Sequence, residues 1–263
     1  MELKETKLMI NGNIGIITLD NPKTMNAITI QVIDEVIDSL DVLDKDNNVK
    51  VIVITGTDKS FSSGGDIRHF AGLLAKGKTL PTEGIENIGK MIMKIRTTLK
   101  PCIAALNGVV AGAGCSVALA CDFRIIPDTE KIVEAFINLA LCGDSGNLYL
   151  LNKMVGSART TEIMMLGKTL SADEAKNLGL VNKVVKREDF SDTVNKFALR
   201  LANGPLFAYA KQKDLINKIN FGNDFEEYLA IEAKYMKESS MTEDFKEGVQ
   251  SFIEKRAPKF IGE

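Results

Sequence analysis

Phe61-Ser62-Ser63-Gly64-Gly65-Asp66-Ile67 follows a short apolar run, Val51-Ile52-Val53-Ile54, and leads into a helical pattern. A second stretch repeats the arrangement. The apolar residues 102–106 precede Asn107-Gly108-Val109-Val110-Ala111-Gly112-Ala113-Gly114-Cys115, and a short helix follows. A glycine turn at a helix N-terminus presents free N–H groups to an anion. Two such turns at the same ends of neighbouring parallel strands can aim two N–H groups at one point, on the edge where ligands of open α/β sheets bind. Two convergent donors suit a developing oxyanion. Taken singly, each stretch reads equally well as a tight turn that needs small residues. Neither has P-loop spacing, and no Gly-Lys-Ser/Thr follows either one.

Working outward, residues 8–10 and 14–19 alternate or run apolar around Asn11-Gly12-Asn13, which predicts a β-hairpin. Thr29 opens a helix in which Val32, Ile33, Val36, Ile37, Leu40 and Leu43 recur at three- and four-residue spacing. The β-branched run 51–54, closed by Thr55-Gly56, completes a strand–helix–strand unit, so a parallel pair with a right-handed crossover is expected. Residues 72–84, with Gly77 and Pro81, read as a mobile surface loop. A helix over 85–99 ends before Pro101. Strands follow at 102–106 and 123–126. From Ser157 on, the pattern turns helical. Ser171 and Glu174 have the spacing of a capping box, and Gly179 suits a helix C-terminus. Helices are expected over 190–202, 206–219, 225–239 and 243–256, with breaks at Gly204-Pro205 and Phe221-Gly222-Asn223. This predicts an α/β core followed by an all-helical C-terminal third.

The chain has 263 residues, 45% hydrophobic and 26% charged, with a formal net charge of −2. That balance is ordinary for a globular protein and gives no bulk charge for a nucleic acid or an anionic membrane. No apolar run approaches the roughly 20 residues needed to span a bilayer. Met1-Glu2-Leu3-Lys4-Glu5 carries no apolar signal region, so a cytoplasmic protein is expected. The four cysteines, Cys102, Cys115, Cys121 and Cys142, form no CxxC pair and read as reduced, mostly buried thiols. With one histidine, His69, and no close set of His and Cys, no metal site is expected.

The two turns, in this order and spacing, resemble the crotonase superfamily, the enoyl-CoA hydratase/isomerase family. The resemblance extends over Asn21-Pro22-Lys23-Thr24-Met25-Asn26-Ala27, Pro101-Cys102-Ile103-Ala104-Ala105-Leu106-Asn107-Gly108, Cys121-Asp122 and Gly143-Asp144-Ser145-Gly146. It continues through Leu166-Gly167-Lys168-Thr169-Leu170-Ser171-Ala172, Gly179-Leu180-Val181 and Glu254-Lys255-Arg256 with Phe260. It implies a spiral core of ββα units over residues 1–200 and a helical region over 201–263 that builds homotrimers, often paired into hexamers. It implies an acyl-CoA thioester substrate, with coenzyme A as part of the substrate and no tightly bound cofactor. The thioester oxygen would be held by the backbone N–H groups of Gly65 and Ala113. The pocket for substrate and coenzyme A would lie near Lys23, Met25, Ala27, Ser62, Ser63, Asp66, Ile67, Gly112, Ser116 and Phe136. Lys259 and Phe260 match a region from which a neighbouring subunit contacts the nucleotide.

Hydratases that this chain resembles activate water with two glutamates. Ser116 and Phe136 stand at those positions here, and neither can take part in paired-carboxylate chemistry. Glu134 falls two residues out of register. Asp144 matches the aspartate that serves double-bond isomerases as a base. A lone carboxylate suits taking a proton α or γ to the thioester and returning it elsewhere. Asp144 equally suits the N-cap of a helix over 147–154. Ser145, Asn147 and Tyr149 are expected at the acyl pocket, Cys115 and Cys142 beside it as packing residues, and Phe70 and the loop to Gly84 as its shaping wall. Isomerisation is the favoured expectation. Hydration, a specialised acyl-CoA lyase or hydrolase, and a non-catalytic CoA-binding oligomer remain open.

Overall fold

The computed structural model describes residues 3–220 and 224–261. β1 (Thr6–Asn11) and β2 (Ile14–Leu19) form the expected antiparallel hairpin, with Asn11 opposite Ile14. Gly12 makes the reversal at φ +57°, a conformation that glycine adopts without a Cβ clash. α1 (Ile30–Lys45) begins at Thr29, whose Oγ1 accepts the N–H of Val32, and it buries Val32, Ile33, Val36, Leu40 and Leu43. β3 (Val51–Gly56) then runs parallel to β2, as the crossover rule requires.

The next units repeat one pattern. β4 (Ser60–Ser62) is followed by α2 (Ile67–Leu74) and α3 (Thr82–Thr97). β5 (Cys102–Ala105) and β6 (Val109–Ala111) lead to α4 (Ala113–Ala120). β7 (Phe123–Pro127) and β8 (Lys131–Val133) lead through a 3-10 turn at Phe136–Leu139 to α5 (Asn147–Val155) and α6 (Ser157–Met165). β9 (Thr169–Ser171), α7 (Ala172–Asn177) and β10 (Lys183–Val185) complete the core. Strands β1-β2-β3-β5-β7-β10, in that order, form one sheet, and β4-β6-β8-β9 form another. This is a spiral of ββα units. The second sheet was not expected, because its strands are three residues long and too short to show a period. The capping box at Ser171 and Glu174 is formed in both directions. The expected loop over 72–84 is shorter than its composition suggests, since α2 runs through Leu74 and α3 starts at Thr82.

α8 (Phe190–Ala202), α9 (Leu206–Asn220), α10 (Asp224–Ser239) and α11 (Glu243–Glu254) form the C-terminal helices. The expected break at Phe221-Gly222-Asn223 lies outside the described residues, as do Met1 and Glu2. Phe225, Met236, Phe245 and Val249 bury themselves in the same apolar cluster as Ile88, Ile92 and Leu139. α9 is tied to the core by Lys213, whose Nζ meets Asp122 Oδ2 at 2.7 Å, and Arg96 lies 3.6 Å from the other oxygen of that carboxylate. Several large apolar side chains of the C-terminal helices stay exposed, among them Phe207, Leu215, Ile219 and Phe252. Among the described residues no helix is long and apolar enough to cross a membrane.

Candidate active site

The two glycine turns meet. A Cβ placed on Gly64 would lie 2.7 Å from Ala111 O and 3.2 Å from Ala113 N, so the first turn rests directly on the backbone of the second. Gly64 takes φ +86° and Gly112 takes φ +48°. Each loop is held from behind. Ser62 Oγ accepts the Gly64 N–H at 3.2 Å, Gly64 O accepts the Ile28 N–H at 2.8 Å, and the Gly112 N–H donates to Val133 O at 3.1 Å. Ser63 binds the 21–27 segment twice, N–H to Met25 O at 3.0 Å and Oγ to Thr24 O at 2.9 Å. That segment turns through positive φ at Met25 and Asn26. The fully buried Asn26 side chain over-determines the turn, accepting from Asn21 N–H and donating to Ser60 O and Thr57 O.

Gly65 and Ala113 line one cleft of about 710 Å³. Among the described residues neither of their N–H groups donates a hydrogen bond. Ala113 is the first residue of α4, so its N–H belongs to the unpaired, partly positive end of that helix. Asp66 caps α2, accepting from Arg68 N–H at 3.0 Å and His69 N–H at 3.3 Å. The cleft is also lined by Lys23, Met25, Ala27, Ser63, Asp66, Ile67, Gly112 and Phe136, and by apolar side chains reaching from Ile85 on α3 to Met236 on α10.

Asp144 completes the lining. It stands on a turn whose neighbours Gly143, Ser145 and Gly146 all take positive φ, at +105°, +58° and +67°. Burial pushes its carboxyl up to about 6, against the bond that Ser145 Oγ donates to Oδ1 at 2.9 Å. The N-cap reading does not hold. Gly146 occupies the cap of α5, no side chain caps that helix, and only the carbonyl of Asp144 meets it, through Asn147 N–H. The Asp144 carboxylate is therefore not occupied by the helix end.

Two residues expected at the coenzyme A pocket are sealed behind its wall. Ser62 and Ser116 are fully buried and do not reach the cleft. Ser62 supports Gly64, and Ser116 Oγ lies 2.6 Å from Ser145 Oγ. Ser145 and Asn147, expected at the acyl pocket, are also buried away from it, and Tyr149 stacks on Phe225 instead. Cys115 packs in the core, but Cys142 is exposed rather than packed. Phe70, Leu80, Pro81 and Gly84 line the cleft as expected for its shaping wall. Lys259 borders a separate hollow between α2 and α11, where its N–H meets Glu247 Oε1, and Phe260 lies outside the cleft beside it. Glu134 is buried outside the cleft, where Asn147 Nδ2 donates to it at 3.4 Å and burial pushes it up to about 7.

Glu232 was missed. It reaches from α10 to bind the N–H of Gly146 at 2.6 Å. Its signal was legible: Phe225, Leu229, Glu232 and Met236 share one helical stripe, and an acid in an apolar stripe needs a partner. Among the described residues no three His, Cys, Asp or Glu side chains gather as metal ligands.

The family model for enoyl-CoA hydratase/isomerase matches residues 9–263. The chain is 31% identical to a trans-2-decenoyl-[acyl-carrier-protein] isomerase of Streptococcus mutans, over all of both chains. It is 34% identical to a probable enoyl-CoA hydratase of Mycobacterium tuberculosis, over 94% of each. A crystal structure of an enoyl-CoA hydratase from Mycobacterium avium subsp. paratuberculosis superposes with a TM-score of 0.90 at 29% identity, covering 99% of this chain and 100% of that one. The chain belongs to the enoyl-CoA hydratase/isomerase family.

Proposed function

We propose that the protein shifts the double bond of an enoyl thioester, with Gly65 and Ala113 as oxyanion donors and Asp144 as the proton carrier. One observation carries the reading: two backbone N–H groups without partners among the described residues and one desolvated carboxylate belong to residues that line the same cleft, while the hydratase glutamate positions hold Ser116 and Phe136. Asp144 takes a proton from the α carbon of a 3-enoyl thioester. The electrons of that C–H bond move into a dienolate whose oxygen receives the two N–H bonds. The same carboxyl then gives its proton to the γ carbon, leaving the 2-enoyl thioester. The reverse direction uses the same steps. A carboxyl near 6 is ionised at neutral pH yet basic enough for the transfer. Electrostatic stabilisation of the oxyanion supplies the larger share of the acceleration.

Lys23, Met25, Ala27, Ser63, Asp66, Ile67 and Gly112 form the wall for the thioester carrier in this reading. Coenzyme A is the carrier that the family supports. The end-to-end match to an acyl-carrier-protein isomerase makes a protein-borne thioester the second candidate. The exposed apolar side chains of α9 to α11 support a homotrimer, or a pair of trimers, assembled through residues 201–263, with Lys259 and Phe260 serving a neighbour's site. Four free cysteines fit a cytoplasmic setting.

The test follows deuterium exchange at the α and γ carbons of 2- and 3-enoyl thioesters on each carrier, with mass spectrometry for isomer, hydrate and free acid. Asp144→Asn should abolish exchange and leave thioester binding intact. Hydrate or free acid as the main product would replace isomerisation by hydration or hydrolysis, and binding without any turnover would support a non-catalytic role.

A further inference from the structure

The turn that carries Asp144 is unusual in its backbone: three of its residues take positive φ, and Ser145 is not a glycine. Such a turn persists where its surroundings hold it. The hold comes from Glu232 on α10, in the C-terminal helical region. Glu232 is 6% exposed. Its Oε2 accepts the Gly146 N–H at 2.6 Å, and its Oε1 accepts the Tyr228 hydroxyl at 2.9 Å. A larger residue at Gly146 would be strained at φ +67°, and its Cβ would lie 2.7 Å from the Phe225 ring. The carboxylate also meets the N-terminal end of α5, which favours negative charge.

We infer that Glu232 is a positioning residue for the proposed reaction: it holds the turn that presents Asp144 and couples that base to a buried acid of the C-terminal helices. This rests on the reading of Asp144 as the proton carrier. The groups that face Glu232 are Asp144 and Cys142 from the turn, Tyr228 from its own helix and Tyr149 from α5, whose ring lies against Tyr228. α3 meets α10 at Gly89, opposite the apolar Leu229. Burial and the neighbouring carboxylate hold the Tyr228 hydroxyl well above its ordinary range, so it remains a donor. Burial pushes Glu232 itself up to about 7, the Gly146 bond opposes this, and the charge on Asp144 adds to it. As pH falls Glu232 therefore takes up its proton first and Asp144 second.

The experiment compares pH profiles of kcat/KM for isomerisation by the wild-type protein, Glu232→Gln and Tyr228→Phe, alongside Asp144→Asn. Glu232→Gln keeps the shape and loses the charge. Glu232, near 7, takes up its proton before Asp144, near 6, so losing that charge should remove an upper ionisation near 7 and leave the Asp144 limb near 6 in place. Tyr228→Phe strips one of the two donors, makes the Glu232 charge harder to form, and should move the upper ionisation to higher pH while the Asp144 limb stays. If Glu232→Gln does not fold, the Tyr228→Phe profile decides alone. A folded Glu232→Gln variant that keeps the wild-type two-step profile, however low its rate, reduces Glu232 to a structural contact and overturns the inference. An active Asp144→Asn variant would instead remove the base, which is a different failure.

Discussion

Gly64→Ala should silence the enzyme while leaving it folded, because the methyl group enters the contact between the two turns. The new Cβ would lie 2.7 Å from Ala111 O and 3.2 Å from Ala113 N. Both neighbours are backbone atoms, so no side chain can rotate away. The residue would also sit at φ +86°, and left-handed backbone costs an alanine about 1–2 kcal/mol. Overpacking adds roughly 1–3 kcal/mol. Together these remain within the 5–15 kcal/mol stability typical of a domain, so the melting temperature should drop without loss of the fold. Relief of the clash must separate Gly65 from Ala113. Losing one oxyanion donor costs roughly 10²- to 10³-fold in kcat, or about 2.7–4 kcal/mol. Gly77→Ala is the control, since Gly77 also has positive φ, at +64°, but has nothing within 4 Å of an added Cβ. It should lose stability by strain alone and keep kcat. The assay is steady-state isomerisation with a thermal melt of each variant. A folded Gly64→Ala protein with kcat within threefold of wild type would refute the two-donor argument.

Ala113→Pro removes the second N–H at the first position of a helix, where proline is tolerated. Its kcat should fall by roughly 10²- to 10³-fold, while near-wild-type circular dichroism confirms the fold. The pH profile of isomerisation should show an acid limb near 6, because burial raises Asp144 and protonation removes the base as pH falls; a rate unchanged down to pH 4.5 would count against it. Glu35 is buried on α1, which opposes its charge, yet it accepts from the backbone of Lys4 and Glu5 and from Thr6 and Gln31, and the net effect holds it below the ordinary glutamate range. A depressed carboxyl contributes stability that is present above its unfolded value and lost as pH falls through its folded value. Glu35→Gln should therefore cost about 1–3 kcal/mol at pH 7 and flatten the loss of stability below pH 4.5 in denaturant titrations.

Much of the site is local and was legible in the chain. Periodicity located α8, α10 and the start of α1 within one residue, and the glycines at 64, 65, 112 and 114 marked both turns. Ser116 and Phe136 bear on the reaction as residue types alone, since neither is a carboxylate. Other features needed tertiary contacts. The strands of the second sheet carry three residues each, too few to show alternation, and are defined by their partners. Ser62 and Ser116 look like site residues in sequence, but the fold closes over them. Whether Asp144 caps a helix or faces a cleft depends on a backbone turn that places Gly146 at the cap instead. Glu232 is 88 positions from Asp144 in the chain, and only the packing of α10 against α5 brings its carboxylate to that turn. Spacing along the chain supplies the residue types of a catalytic group. Burial and long-range contact decide which carboxylate is desolvated, which N–H stays unpaired, and what each one faces.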